Sequence, residues 1–142
     1  FTASQLSNCV AMLKASLTGC VFDQCDLTGI SWSSAVISDT SFEKCQLAQA
    51  DFSSGLLRRS RFVQCKAPGL SVFSSELEEV VLLQSNLMDA SFHGAKLKAS
   101  SLLGNNFFSA DFIETVFDEN TKLEGNVTLK TILAVRGQPS AS

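Results

Sequence analysis

Charge is scarce in this sequence, histidine scarcer still, and long apolar runs are missing. Only 18% of the 142 residues are charged while 45% are hydrophobic, a balance that excludes an intrinsically disordered segment. No stretch of 18 apolar residues occurs, so no helix is long and apolar enough to cross a membrane, and no membrane partner is expected. The net charge is a mild -3, and basic residues gather only at Arg58, Arg59, Arg61 and Lys66. A phosphate-tracking surface for direct nucleic-acid binding is therefore not expected. His93 is the single histidine, and there is no HExxH, no Gly-rich phosphate loop and no pair of catalytic carboxylates. The chain reads as a non-enzyme without a cofactor, a metal or catalytic residues. Five cysteines are an odd number, which argues against a fully paired disulfide framework. Low charge and free thiols favour a reducing compartment, and a cytoplasmic location is expected. The first residue is Phe1, so the chain reads as a fragment or a processed product.

What is present is a period. In CVFDQCDLTG, residues 20–29, Phe22 and Leu27 stand five apart. Every fifth position from Met12 to Phe117 carries a large apolar residue, with Ala67 the one small exception. Two residues before each stands a mostly small residue, such as Cys20, Cys25, Ala35, Ala50, Ser60, Ser75 and Ala90. A helix requires apolar spacings of three and four, and a strand of two, so neither sets this period. Positions two apart in extended backbone point the same way, so both columns can face one interior. The other three positions are mostly polar or Gly, suited to an exterior and to tight corners. A chain that turns every five residues closes a square coil in twenty, and coils then stack about 4.8 Å apart through backbone hydrogen bonds.

This pattern resembles the pentapeptide-repeat proteins, most clearly at ADFSS (50–54), ASFHG (90–94), AKLKA (95–99) and ADFIE (110–114). The resemblance implies an all-β solenoid, a right-handed quadrilateral β-helix of about five to six coils. It also implies a choice of roles, since the family includes gyrase-interacting proteins, effector domains and members without a known role. Residues 10–127 are assigned to the repeat and residues 1–9 to a partial coil or cap. Residues 128–142 are assigned to a capping helix and tail, with Thr128 as cap, Leu129, Ile132, Leu133 and Val135 as an apolar side, and Gly137 and Pro139 as its stop. Solenoid ends need such covering.

Cys25, Cys45 and Cys65 fall twenty apart and form one inward ladder, with Cys20 on the side before. They occupy the position that alanine and serine hold elsewhere and lack the CxxC spacing of common metal sites, so they read as compact core fillers. Cys9 lies in the irregular N-terminal segment and would be the reactive one if exposed. His93 should point outward between Phe73 and Ile113 of the neighbouring coils.

Two outward patterns bear on function. Arg58, Glu78, Lys98 and Asp118 form a charge ladder of alternating sign, and Arg59 and Glu79 do the same one residue later. Val63, Leu83, Leu103 and Leu123 form an apolar stripe, with Met88 and Phe108 on the adjacent side. Contiguous exposed apolar residues mark an interaction surface unless the C-terminal segment folds over them. The expected function is a non-catalytic interaction or scaffold module that binds a protein partner or its own copy, a homodimer being one form. The alternative, implied by the resemblance, is a DNA-mimicking modulator of a type II topoisomerase (gyrase). Its acidic residues would be Glu76, Glu78, Glu79, Glu114, Asp118, Glu119 and Glu124, which Lys96, Lys98 and the arginines interrupt.

Overall fold

The computed structural model describes residues 15–129, and residues 132–136 and 140–141 as backbone. The expected cap at residues 1–9, Cys9 and Met12 lie outside the described residues. The chain is an all-β parallel solenoid with four sides. Its first side is a seven-stranded sheet of β1 (Ser16–Thr18), β3 (Val36–Ser38), β5 (Leu56–Arg58), β7 (Glu76–Glu78), β9 (Lys96–Lys98), β11 (Asp111–Phe117) and β13 (Ile132–Arg136). The second side comprises β2 (Val21–Asp23), β4 (Ser41–Glu43), β6 (Arg61–Val63), β8 (Val81–Leu83), β10 (Ser101–Leu103), β12 (Lys122–Glu124) and β14 (Ser140–Ala141). The third and fourth sides are joined by single parallel bridges, such as Gln46 to Lys66 and Asp51 to Ser71. Pairing follows a twenty-residue register, as in Phe22 with Phe42 and Phe42 with Phe62.

The two inner columns fill the coil. Phe22, Phe42 and Phe62 stack face to face, with centroids 5.0 and 4.6 Å apart, while Phe52 of the fourth side meets Phe42 and Phe62 edge-on. A second aromatic group joins Phe92 and Phe112, stacked at 4.7 Å, with Phe107 edge-on to both. Between them the core is aliphatic. There Ala67 stands in the column of Leu27, Leu47, Leu87 and Phe107, and an apolar void of about 10 Å³ opens beside it.

Corners recur every fifth residue with left-handed backbone, as at Gln24, Lys44, Gln64 and Gln84, whose φ values run from 49° to 55°. Non-glycine residues enter this region at a cost, so the stacked hydrogen bonds of the coil must hold them there. Lys44 N–H, for example, donates to the Val63 carbonyl at 2.9 Å.

Two kinds of corner explain the inner small column. After the third and fourth sides, the small residue closes a backbone turn, as when Ala50 N–H donates to Leu47 O at 3.1 Å and Ala95 N–H to Phe92 O at 2.9 Å. Gly55, whose N–H donates to Ser75 Oγ at 3.3 Å, departs from the rule. Ile30, Ala35, Ala50, Leu70, Ala90 and Ala95 serve there. After the first and second sides, the small residue's amide instead donates to a side chain one coil up. Cys65 N–H reaches Ser85 Oγ at 3.1 Å, Val80 N–H reaches Ser100 Oγ at 3.1 Å, and Ser85 N–H reaches Asn105 Oδ1 at 2.9 Å. Those same side chains donate to a carbonyl of the coil below, as Asn105 Nδ2 does to Leu82 O at 2.8 Å. Polar inner residues thus satisfy backbone groups that would otherwise be buried unpaired. Among the described residues no buried side-chain nitrogen or oxygen lacks a partner.

The C-terminal segment corrects the expected capping helix. Ile132–Arg136 is a strand, β13, that pairs in parallel with β11, and Ser140–Ala141 pairs with β12. β-Branched Ile132 and Val135 suit a strand. The unpaired edge of the last full coil also demands hydrogen-bond partners that a strand supplies and a helix, which satisfies its own backbone, cannot. The segment therefore extends the solenoid.

Candidate interaction surface

The apolar stripe begins where the sequence places it. Val63, Leu83 and Leu103 stand in direct register on β6, β8 and β10, each half-buried. Val81, on the other outward row of β8, widens the patch. Leu123 does not continue the stripe. The turn after Phe117 carries one extra residue, so Leu102 pairs with Leu123 and Leu103 with Glu124. Leu123 turns inward against the core, and Glu124 takes the outward place.

The extra residue is accommodated by two hydrogen-bonding side chains. Thr121 fills the small inner slot and is fully buried, its hydroxyl 2.7 Å from Asp118 Oδ1 and 3.2 Å from Leu97 O. The Asp118 carboxylate accepts the Ala99 amide at 3.0 Å. Burial raises the Asp118 pKa, but the hydrogen bonds from Thr121 and Ala99 outweigh it and hold the carboxyl below its usual 3.8.

On the third side Met88 and Phe108 belong to a longer outward row. Gln49 N–H donates to Pro68 O, Gly69 N–H to Met88 O, Asp89 N–H to Phe108 O and Ser109 N–H to Leu129 O. Pro68, Met88, Phe108 and Leu129 therefore climb one row in successive coils, and Leu129 is 69% exposed. The sequence reading leaves Pro68 and Val81 out of the surface, although stepping by twenty finds Pro68, and assigns Leu129 to the capping helix. Leu129 is displaced by the same one-residue insertion that moves Leu123.

The charge ladders are only partly joined. Arg58 Nε meets Glu78 Oε2 at 3.2 Å, as the register implies. Arg59 does not pair with Glu79. It turns to the coil below and grips Asp39, Nε to Oδ1 at 2.8 Å and a terminal nitrogen to Oδ2 at 3.2 Å. The hydrogen bond from Arg59 lowers the Asp39 pKa and raises that of the arginine. Lys98 stands over Glu78 in register. Asp118, expected as the last rung, is committed to its own turn.

The cysteine ladder does structural work. Cys45 Sγ donates to Phe22 O at 3.2 Å and Cys65 Sγ to Phe42 O at 3.3 Å, the task that Ser85 Oγ performs toward Phe62 O one coil up. The Cys65 thiol is pushed up by its hydrogen bond with Cys45 and by burial, so it stays protonated. His93 lies outward, stacked on Phe73 at 5.3 Å with Nδ1 3.4 Å from Asp111 Oδ2.

A comparison with curated protein sequences gives no match. Among solved structures, QnrB1, a plasmid-mediated fluoroquinolone resistance protein, is similar at 16% identity, with 97% of this chain and 76% of that chain covered and a TM-score of 0.59. A pentapeptide repeat protein from the Arabidopsis thaliana thylakoid lumen is similar at 25% identity over 71% of this chain and 59% of that chain, with a TM-score of 0.37. HetL, a pentapeptide repeat protein involved in heterocyst differentiation regulation in a Nostoc cyanobacterium, covers 94% of this chain and 86% of its own at 14% identity, with a TM-score of 0.32. The pentapeptide repeat region matches residues 15–92 and 35–112, more than half of the sequence, and the chain belongs to that family.

Proposed function

We propose that this chain is a non-catalytic interaction module that binds a protein partner, or its own copy, through the outward apolar rows of its second and third sides. The observation that carries this reading is the in-register stack of Val63, Leu83 and Leu103, with Val81 beside it and Met88 and Phe108 around the corner. Contiguous apolar rows on a rigid surface gain stability when a partner removes them from water. Among the described residues the C-terminal segment adds strands to the sheet edges at β11 and β12 and forms no helix across the stripe.

The gyrase-directed alternative needs a continuous acidic face. On the first side Glu76 and Glu78 stand directly beneath Lys96 and Lys98, which breaks such a face. Absence of any effect on supercoiling by purified gyrase would retire that alternative.

Light scattering across a concentration series tests the module reading. The variant is Leu83→Glu/Leu103→Lys, whose signs alternate with Glu124 so that like charges do not stack. Wild-type association that the variant loses supports the stripe as the contact. Association of equal strength in both, or a monomer in both, removes self-association through the stripe, and a pull-down contrasting the two proteins then tests a foreign partner.

A further inference from the structure

The basic residues of this molecule are not all treated alike. Arg58 and Arg59 are ion-paired to Glu78 and Asp39, and Lys96 and Lys98 stand in register over Glu76 and Glu78. Lys44 and Lys66 are placed differently. Lys44 occupies a corner row between Gln24 and Gln64, and Lys66 occupies a bridge row between Gln46 and Asn86. Among the described residues neither lysine makes an ion pair within 4.0 Å. Gln24, Lys44, Gln46, Gln64 and Lys66 together line a depression of about 480 Å³ along the edge between the second and third sides.

We propose that this depression binds an oxyanion group, a carboxylate or a phosphate, carried by a small ligand or by the end of a larger one. Two ammonium groups one coil apart supply positive charge from two directions. The amides of Gln24, Gln46 and Gln64 supply neutral N–H donors that add no competing acceptor charge. Gln64 is itself oriented by the hydrogen bond from its Nε2 to Gln84 Oε1 at 3.3 Å. Three acids neighbour the lining residues, Asp23 and Glu43 beside Gln24 and Lys44 and Asp26 in the row of Gln46, so the two lysines must outweigh them. Glu43 Oε1 accepts the Ser41 hydroxyl at 3.3 Å, and Asp26 Oδ1 accepts the Thr28 amide at 3.1 Å. With a net charge of -3, the chain as a whole repels anions, so binding must come from this local arrangement. The site borders the apolar stripe, Gln64 following Val63 directly, but its lysines and amides are not part of the stripe and the proposal does not depend on it.

The test is a side-chain amide NMR titration of the labelled protein with pyrophosphate and, separately, with citrate at low salt. Saturable shifts confined to the amides of Gln24, Gln46 and Gln64 are expected. The double variant Lys44→Gln/Lys66→Gln should weaken binding at least tenfold. It should fold normally, because glutamine already fills the same rows one coil away. Lys96→Gln/Lys98→Gln should leave the affinity unchanged. Saturation by pyrophosphate alone assigns the site to phosphate, and saturation by citrate alone assigns it to carboxylate. No saturable shift with either, or equal weakening by both double variants, overturns the proposal.

Discussion

The second side of the solenoid carries opposite surfaces at its two ends over the same interior plan. In the first coils its outward row reads Asp23 and Glu43; in the later ones it reads Val63, Leu83 and Leu103, before Glu124 closes it. Inside, the same strands bury Phe22, Phe42 and Phe62, then Leu82 and Leu102, without a break in register. The backbone follows one course beneath acidic and apolar surfaces alike. Inner columns and corner hydrogen bonds therefore specify the coil, and the outward rows are free to specify what it meets.

Breaking the inner plan should cost most. Phe42 is fully buried and stacked on both neighbours. Phe42→Ala should lower unfolding free energy by about 3–5 kcal/mol in urea denaturation, whereas substitutions in the outward row should cost far less. Next in size is the effect on association: Leu83→Glu/Leu103→Lys should weaken it by about 2 kcal/mol or more, the scale of a truncated contact centre.

The insertion after Phe117 offers a smaller test. Asp118→Ala removes the acceptor for the Ala99 amide and the Thr121 hydroxyl, and should cost about 1 kcal/mol at neutral pH, the carboxylate being partly solvated. Because the folded pKa of Asp118 is depressed, its contribution is present above the unfolded value. The gap between variant and wild type should therefore shrink as pH falls below 3.8. Thermal melts at neutral and acidic pH would show it, and a gap that widens in acid would contradict this role. The smallest effect belongs to the void between the aromatic groups. Ala67→Val should fill part of it and stabilise by about 0.5–1 kcal/mol, read as a raised melting temperature. A lowered one would mean that the neighbouring side chains leave no room.

Much of this was legible because one period governs the chain. A large residue at every fifth position from Phe22 to Phe117 except Ala67 can only face a common interior, so the solenoid and its core columns follow directly. The corner chemistry was hidden, because Ser85 and Ala90 are alike in size and only their hydrogen bonds tell them apart. The one-residue insertion shows in the sequence only as a break in the period after Phe117, where Asn120 and Lys122 stand in the places of a small and an apolar residue. It leaves composition unchanged while sending Leu123 inward and Glu124 outward, which shortened the stripe. The tail departs from the expected helix because Leu129, Ile132, Leu133 and Val135 fit a short helix or a strand equally well. The open edge of β11 made the choice, and that edge exists only in the folded coil. The turn of Arg59 toward Asp39 likewise depends on side-chain reach that spacing does not record.

The most direct measurement is urea denaturation followed by circular dichroism on wild type and Leu83→Glu/Leu103→Lys, with light scattering on the same samples. If the outward rows serve contact alone, the two proteins share one β-rich spectrum, and under monomeric conditions one midpoint within about 0.5 kcal/mol. Only the wild type should associate. A variant that unfolds several kcal/mol earlier, or that associates as the wild type does, would contradict the separation of inner fold from outer function.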